Sequence, residues 1–118
     1  MLSRDSQRLM HILDYCDDIE NHLATVNHDH PTFLTNSMCQ HSIAFCILQI
    51  GELTVKLSDE LRSSTSQQIN WTAIKGMRNI VVHDYGHIDL DVVWSVATED
   101  IPTLKTFCQT QLEQNSPS

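Results

Sequence analysis

An apolar helical stretch in the first half of the chain decides the fold. Residues 43–61 read IAFCILQIGELTVKLSDEL, in which apolar side chains recur three or four residues apart. That spacing is typical of an amphipathic α-helix and predicts one from about residue 36 to residue 61, with a core face of Ile43, Cys46, Ile47, Ile50, Leu53, Leu57 and Leu61. Phe45 and Leu48 lie outside that face and need further cover. We expect a second copy of the chain to supply it in a homodimer, with the chain's own long loops as the alternative.

The flanking sequence also favours helices. Only three Gly and three Pro interrupt the chain, and no segment alternates apolar and polar residues with the two-residue period of a strand. A first helix is predicted over residues 5–27. The loop 28–31 ends it, because Pro31 disfavours helical geometry in the residue before it. Residues 62–68, rich in Ser, Thr and Gln, are predicted to form a second loop.

Two further helices are predicted after that second loop. Asn70 is a suitable N-cap for the third helix, and Gly86 is placed to end it. Asp89 is the expected cap of the fourth helix, which should kink or break at Pro102, and residues 114–118 are expected to fray. The sequence therefore predicts an all-α protein, an antiparallel four- to five-helix bundle that forms a single domain over residues 1–118.

Composition and charge restrict the function. Seven Lys and Arg residues against fifteen Asp and Glu give a net charge of −8, which lacks the broad basic field of a DNA-binding module. The N-terminus has no apolar signal-peptide core, and the longest apolar run is too short to span a bilayer. We therefore predict a cytoplasmic protein that does not contact membranes. The spacing of the cysteines at positions 16, 39, 46 and 108 predicts buried, reduced thiols, with no metal site and no cofactor.

The residues best suited to catalysis lie in residues 76–86, which read GMRNIVVHDYG. At about 100° per residue, Arg78 and Tyr85 share one face of a helix, and His83 lies roughly 140° from Arg78 around the helix axis. A loosened last turn and the long Arg78 side chain can close that gap, or a symmetry mate can place a second copy of the site opposite. An imidazole can move protons near neutral pH, and a guanidinium can bind phosphate oxygens. Because RNA brings its own nucleophile, the 2′-OH, this pair can cleave it without a metal. Spacing by itself leaves open an Arg paired with an acid and a His packed at a helix end.

The same residues carry a family resemblance. Arg78, His83 and Tyr85 match the Arg-x4-His-x-Tyr signature of the HepT-like family, in the HEPN superfamily of helical-bundle ribonucleases. The surrounding sequence is also similar, in Gln49-Ile50-Gly51-Glu52, Trp71, Asn79, Asp84 and Ile88-Asp89. The resemblance implies a metal-independent endoribonuclease, the toxin of a type VII-like toxin–antitoxin system. It makes Arg78 and His83 the catalytic residues of a cleft that two copies build together.

The resemblance also implies a protein partner. Toxins of this family pair with small MNT-type nucleotidyltransferase antitoxins, which inactivate them by attaching AMP to the motif tyrosine, here Tyr85. A phosphate beside Arg78 would block RNA by occupancy and by like charge. The alternative is a non-catalytic HEPN binding module that docks a nucleotidyltransferase without turning over RNA.

Two more residues are candidates for supporting roles. Asn79 can orient the phosphate or the sugar of RNA, or it can be a plain amide on the helix surface. Glu52 lies in the apolar middle of the predicted second helix, where an unpaired carboxylate is costly, and Arg78 is its expected partner. A Glu that faces solvent is the alternative.

Overall fold

The protein is an all-α bundle, as predicted. The computed structural model describes residues 3–79 and 88–114, and no strand occurs in those two ranges. Its helices are α1 (Ser3–Thr25), α2 (His30–Phe33), α3 (Ser37–Lys56), α4 (Asp59–Ser64), α5 (Trp71–Gly76), α6 (Leu90–Ser95) and α7 (Ile101–Gln114), with a π-helical turn over Val96–Asp100. The long α1 packs against α3 and α7, and α3 also packs against α5. The packing of α3 against α5 brings Gly51, in the middle of the chain, next to Arg78.

The connection after α1 contains more regular secondary structure than predicted. Asn27 and His28 adopt left-handed backbone conformations with φ of 56° and 55°, which end the helix at Thr25. Asp29 then caps a short helix, because its Oδ2 accepts hydrogen bonds from the backbone N–H and the hydroxyl of Thr32. The predicted loop 28–31 therefore already contains the start of α2. Pro31 fits there because the first turn of a helix does not need its N–H.

The predicted second helix, residues 36–61, is wrong at its C-terminal end. It divides into α3 and α4, since Leu57 and Ser58 have extended backbone conformations. The Ser58 hydroxyl caps α4 by accepting from Leu61 N–H. Buried Asp5 fixes this break, because its carboxylate accepts from both the N–H and the hydroxyl of Ser58. α4 then continues to Ser64, so the first part of the predicted loop 62–68 is helical.

The predicted third helix begins at its Asn70 cap, as expected, but it is not regular. Asn70 Oδ1 accepts from Ala73 N–H, and α5 ends at Gly76. The N–H of Met77 then bonds to Ile74 O, three residues back, which tightens the turn before Arg78 and Asn79 resume helical backbone. The predicted stop at Gly86 lies outside the described residues.

The final helical segment confirms two predictions. Asp89 caps α6 through a hydrogen bond from Val92 N–H to its Oδ1. The irregularity expected at Pro102 is the π-helical turn Val96–Asp100, directly before α7. Because proline lacks an N–H, it cannot continue the ordinary ladder of bonds, and the backbone widens there. The expected fraying concerns residues 114–118, of which Gln114 still belongs to α7 and the others lie outside the described residues.

The bundle core is made of aliphatic side chains and thiols. All four cysteines are buried and free, as predicted. Burial raises the pKa of Cys108 to about 12 and that of Cys46 to about 11, so both stay protonated at neutral pH. Within residues 3–79 and 88–114, no helix is long and apolar enough to cross a membrane. Phe45, predicted to need cover, has 53% of its surface exposed, and Leu48 is half-buried.

Candidate active site

The candidate site is built on a close contact between two helices. A Cβ atom added at Gly51 of α3 would lie 3.0 Å from the Cβ of Arg78 and 3.1 Å from its backbone N. Ordinary contacts between carbon atoms are about 3.5–4.0 Å, so only glycine allows this approach without displacing the neighbour. The missing side chain of Gly51 thus fixes where the Arg78 backbone lies, and from there where its guanidinium can reach.

Glu52, the next residue on α3, faces the Arg78 side chain. Glu52 Oε1 lies 3.6 Å from Arg78 Nη1, and the two side chains are 47% and 37% exposed. Glu52 is therefore not enclosed in an apolar environment, as its place in the sequence suggested, but half-exposed and paired. An exposed pair at this distance is worth less than about 1 kcal/mol. It leaves most of the five N–H donors of the guanidinium available to a phosphate.

The segment that carries Arg78 is firmly anchored in the bundle. Trp71, the first residue of α5, donates from its indole Nε1 to Thr65 Oγ1 at 2.8 Å. Its ring packs edge-on against Phe107 of α7, with 5.4 Å between ring centroids. Ile74 and Met77 are buried one turn and two turns further along. These contacts hold the start of the Arg78 turn against α3 and α7, so the site stands on packed elements.

The structure brings together only part of the predicted site. Arg78 and Glu52 are adjacent, and Asn79 is exposed at the next position along the chain. His83 and Tyr85 lie in residues 80–87, outside the described residues. Their predicted positions relative to Arg78 therefore stay predictions.

Comparison with known proteins matches this architecture to one family. The model of the family described as ribonuclease HepT-like matches residues 12–110, which run from α1 through the Gly51–Arg78 contact into α7. The chain belongs to the HepT-like ribonuclease family. No solved structure matches the chain at comparable significance.

Several curated relatives are similar over most of this HepT-like chain. Two proteins of Methanocaldococcus jannaschii, each named a putative RNase, are 31% identical over 106 residues. The matches cover 89% of this chain, and 85% and 89% of the relatives. A protein of Thermococcus cleftensis named probable ribonuclease HepT is 29% identical over 73 residues, which cover 62% of this chain and 66% of that one.

One positioning residue of this HepT-like chain was missed by reasoning from the sequence. Gly51 belongs to the sequence that resembles the family, but the resemblance assigns it no role of its own. The available signal was a glycine in the middle of an apolar helix, where it weakens the helix and usually has a packing reason. Its neighbour Arg78 is 27 positions away in the sequence. Periodicity within one helix cannot show a contact of that range.

The described part of the HepT-like chain contains no cluster of metal-binding side chains. In residues 3–79 and 88–114, no three His, Cys, Asp or Glu side chains are grouped so that they could hold an ion. The anchored cation at this site is the guanidinium of Arg78.

Proposed function

We propose that this chain is an endoribonuclease that cleaves RNA without a metal ion and acts as the toxin of a HEPN/MNT toxin–antitoxin pair. The observation that carries the proposal is the anchored, half-exposed guanidinium of Arg78 in a chain of the HepT-like ribonuclease family. The family signature supplies His83, five positions further along the sequence. Relatives that bear ribonuclease names support the same substrate class.

In the proposed reaction, RNA provides its own nucleophile. His83 accepts the proton of the 2′-OH as its oxygen attacks the adjacent phosphorus, and the bond from phosphorus to the 5′-oxygen breaks. That leaving oxygen takes a proton from an imidazolium, either the same His83 or that of a second copy. Arg78 binds the negative charge that builds up on the phosphoryl oxygens. The products are a 2′,3′-cyclic phosphate and a 5′-hydroxyl end.

The proposal includes a homodimer in which two copies of the site face each other. Phe45 and Met38 lie seven residues apart on one face of α3, with 53% and 79% of their surfaces exposed. Large apolar side chains exposed on one face favour association with another chain. Asn79 is proposed to orient the substrate, and Glu52 to hold the Arg78 side chain in place.

Regulation is proposed to act on the same segment, in the cytoplasm. An MNT-type nucleotidyltransferase would transfer AMP to Tyr85, seven positions after Arg78 in the sequence. The added phosphate would neutralise the guanidinium and occupy the place of the RNA phosphate.

The experiment that tests the proposal is cleavage of RNA by the purified protein in excess EDTA. We expect the wild-type protein to produce ends with a 2′,3′-cyclic phosphate, and His83→Ala to lose this activity while its circular dichroism spectrum is unchanged. Expression of the wild-type protein alone should arrest growth, and His83→Ala should not. Cleavage that needs a divalent metal, or full activity of His83→Ala, would overturn the mechanism. A stable complex with a nucleotidyltransferase and no cleavage would point to a binding module instead.

A further inference from the structure

A cavity of about 720 Å³ opens between α4 and α5, and neither Glu52 nor Arg78 of the candidate active site lines it. Its apolar part is formed by Ile69 and Trp71, which are 5% and 7% exposed. Polar side chains surround it, including the hydroxyls of Ser63 and Thr72. A cavity of this size, with apolar and polar walls, is within the range of pockets that hold small ligands or parts of larger ones.

The polar wall of this cavity is basic, although the chain is acidic. Two of the seven Lys and Arg side chains, Arg62 and Lys75, line it, against one carboxylate, that of Asp59. Arg62 Nη2 bonds to Asp59 Oδ1 at 2.6 Å, which leaves its other N–H donors available. Lys75 has no ion pair within residues 3–79 and 88–114.

Two other cations of the chain are already engaged. Lys105 lies between Asp17 and Glu20 of α1, with N–O distances of 3.0 and 2.6 Å. Arg8 donates to the backbone carbonyl of Lys56. The cavity therefore holds a cation without a carboxylate partner in the described part of the chain, in a place where hydroxyl donors are also present.

The cavity and the candidate active site both take a cation from the segment that begins at Trp71. Lys75 is on α5, and Arg78 follows three positions later, just after the tightened turn at Met77. In a tightened turn with bonds three residues back, side chains three positions apart lie on the same side of the backbone. Lys75 shares the cavity with Arg62, so the cation nearest to Arg78 in the sequence on its N-terminal side belongs to the cavity.

We propose that the cavity between α4 and α5 is a subsite for the backbone of single-stranded RNA, in which Lys75 and Arg62 bind phosphates next to the one held by Arg78. This inference rests on the proposed function, since it assigns the path of the same substrate. Ser63 and Thr72 can donate hydrogen bonds to phosphate or ribose oxygens. Lys75 and Arg62 are positioning residues and do not contact the bond that breaks.

The test measures binding and cleavage separately. The binding probe is a fluorescent single-stranded RNA with 2′-O-methyl groups at every position, which has no free nucleophile and stays intact. Its affinity is measured by anisotropy from 50 to 200 mM salt for wild type, Lys75→Gln, Arg62→Gln and Lys56→Gln. Lys56 ends α3, is exposed and does not line the cavity, so its variant is a control with the same change in net charge.

The expected result is a change in salt dependence at the two cavity positions. The slope of log affinity against log salt is negative, and each lost phosphate contact makes it less steep by about 0.7 for single strands. Wild type should therefore lose about 2.6-fold more affinity than Lys75→Gln or Arg62→Gln over that fourfold range of salt. With unmodified RNA, both variants should raise KM more than they lower kcat. Lys56→Gln should match wild type in both assays.

The outcomes separate this inference from the proposed function. If wild type cleaves RNA but Lys75→Gln and Arg62→Gln behave like Lys56→Gln, the subsite is wrong and the ribonuclease proposal stands. If wild type neither binds the probe nor cleaves RNA, both proposals fail. Loss of kcat in Lys75→Gln at unchanged KM and salt slope would also overturn the subsite, because it would indicate a role in the chemical step.

Discussion

Substitution of Gly51 by alanine is the sharpest test of how the fold positions Arg78. The new Cβ would lie 3.0 Å from Arg78 Cβ and 3.1 Å from Arg78 N, so the two segments must separate by about 0.5 Å to reach ordinary contact. Overpacking of this kind costs about 1–3 kcal/mol. Replacing glycine by alanine inside a helix stabilises the helix by about 1 kcal/mol, which offsets part of that cost. We therefore expect Gly51→Ala to lower the free energy of unfolding by about 0–2 kcal/mol.

The effect of Gly51→Ala on activity should exceed its effect on stability. A misplacement of 1 Å can cost a factor of about 100 in rate, so a shift of half that size at Arg78 should reduce RNA cleavage on the order of tenfold. Gly76→Ala is the matched control, because a Cβ there meets nothing within 4 Å. It should keep wild-type cleavage and gain up to about 1 kcal/mol of stability.

The assays are unfolding in urea and cleavage of RNA under conditions in which each variant is fully folded. The reasoning would be refuted if Gly51→Ala matched Gly76→Ala in both stability and cleavage, since the approach of α3 to Arg78 would then have no consequence. A loss of stability without a loss of cleavage would also refute it, because the contact would be structural only.

Two further predictions concern stability and thiol reactivity. Asp5→Ala removes the acceptor for two hydrogen bonds of Ser58 and should lower the free energy of unfolding by about 1–3 kcal/mol, whereas Asp14→Ala, on an exposed position of the same helix, should change it by less than about 0.5 kcal/mol. Equal effects in urea unfolding would contradict the role given to Asp5. Burial raises the pKa of Cys108 to about 12 and of Cys46 to about 11, so neither should react with a thiol reagent at pH 8 until the protein unfolds. Rapid labelling of either thiol in the native protein would contradict this, as shown by mass spectrometry.

The sequence was sufficient to predict the long helices, but not the short α2, the separate α4 or all of the helix ends. The apolar spacing identified α1 and α3, and the caps Asn70 and Asp89 were recognisable from residue type and position. The break between α3 and α4 was not recognisable, because it depends on Asp5, 53 positions away in the sequence. Local sequence patterns predict the secondary structure that a segment favours by itself, whereas this break is fixed by tertiary hydrogen bonds between Asp5 and Ser58.

The candidate site was likewise predicted in part, since its residues are recognisable in the sequence but its contacts between distant segments are not. The resemblance singled out Arg78 and its neighbours, and the carboxylate at position 52 suggested a partner for the guanidinium. The structure adds that Gly51 closely contacts the Arg78 backbone and that Lys75 and Arg62 line the same cavity. Neither could be derived from spacing, since each depends on which helices cross and at which residue.

The net charge of −8 acts differently on this site than on the rest of the surface. Acidic side chains elsewhere repel RNA, so little affinity comes from a general basic field. In the proposed subsite, binding would depend on three cations, Arg62 and Lys75 in the cavity and Arg78 in the candidate active site. In a strongly basic protein the loss of one of many phosphate contacts changes affinity little, whereas here each cation is a large share of the total. The acidic composition therefore excludes broad nucleic-acid binding and at the same time makes the proposed subsite sensitive to a single substitution.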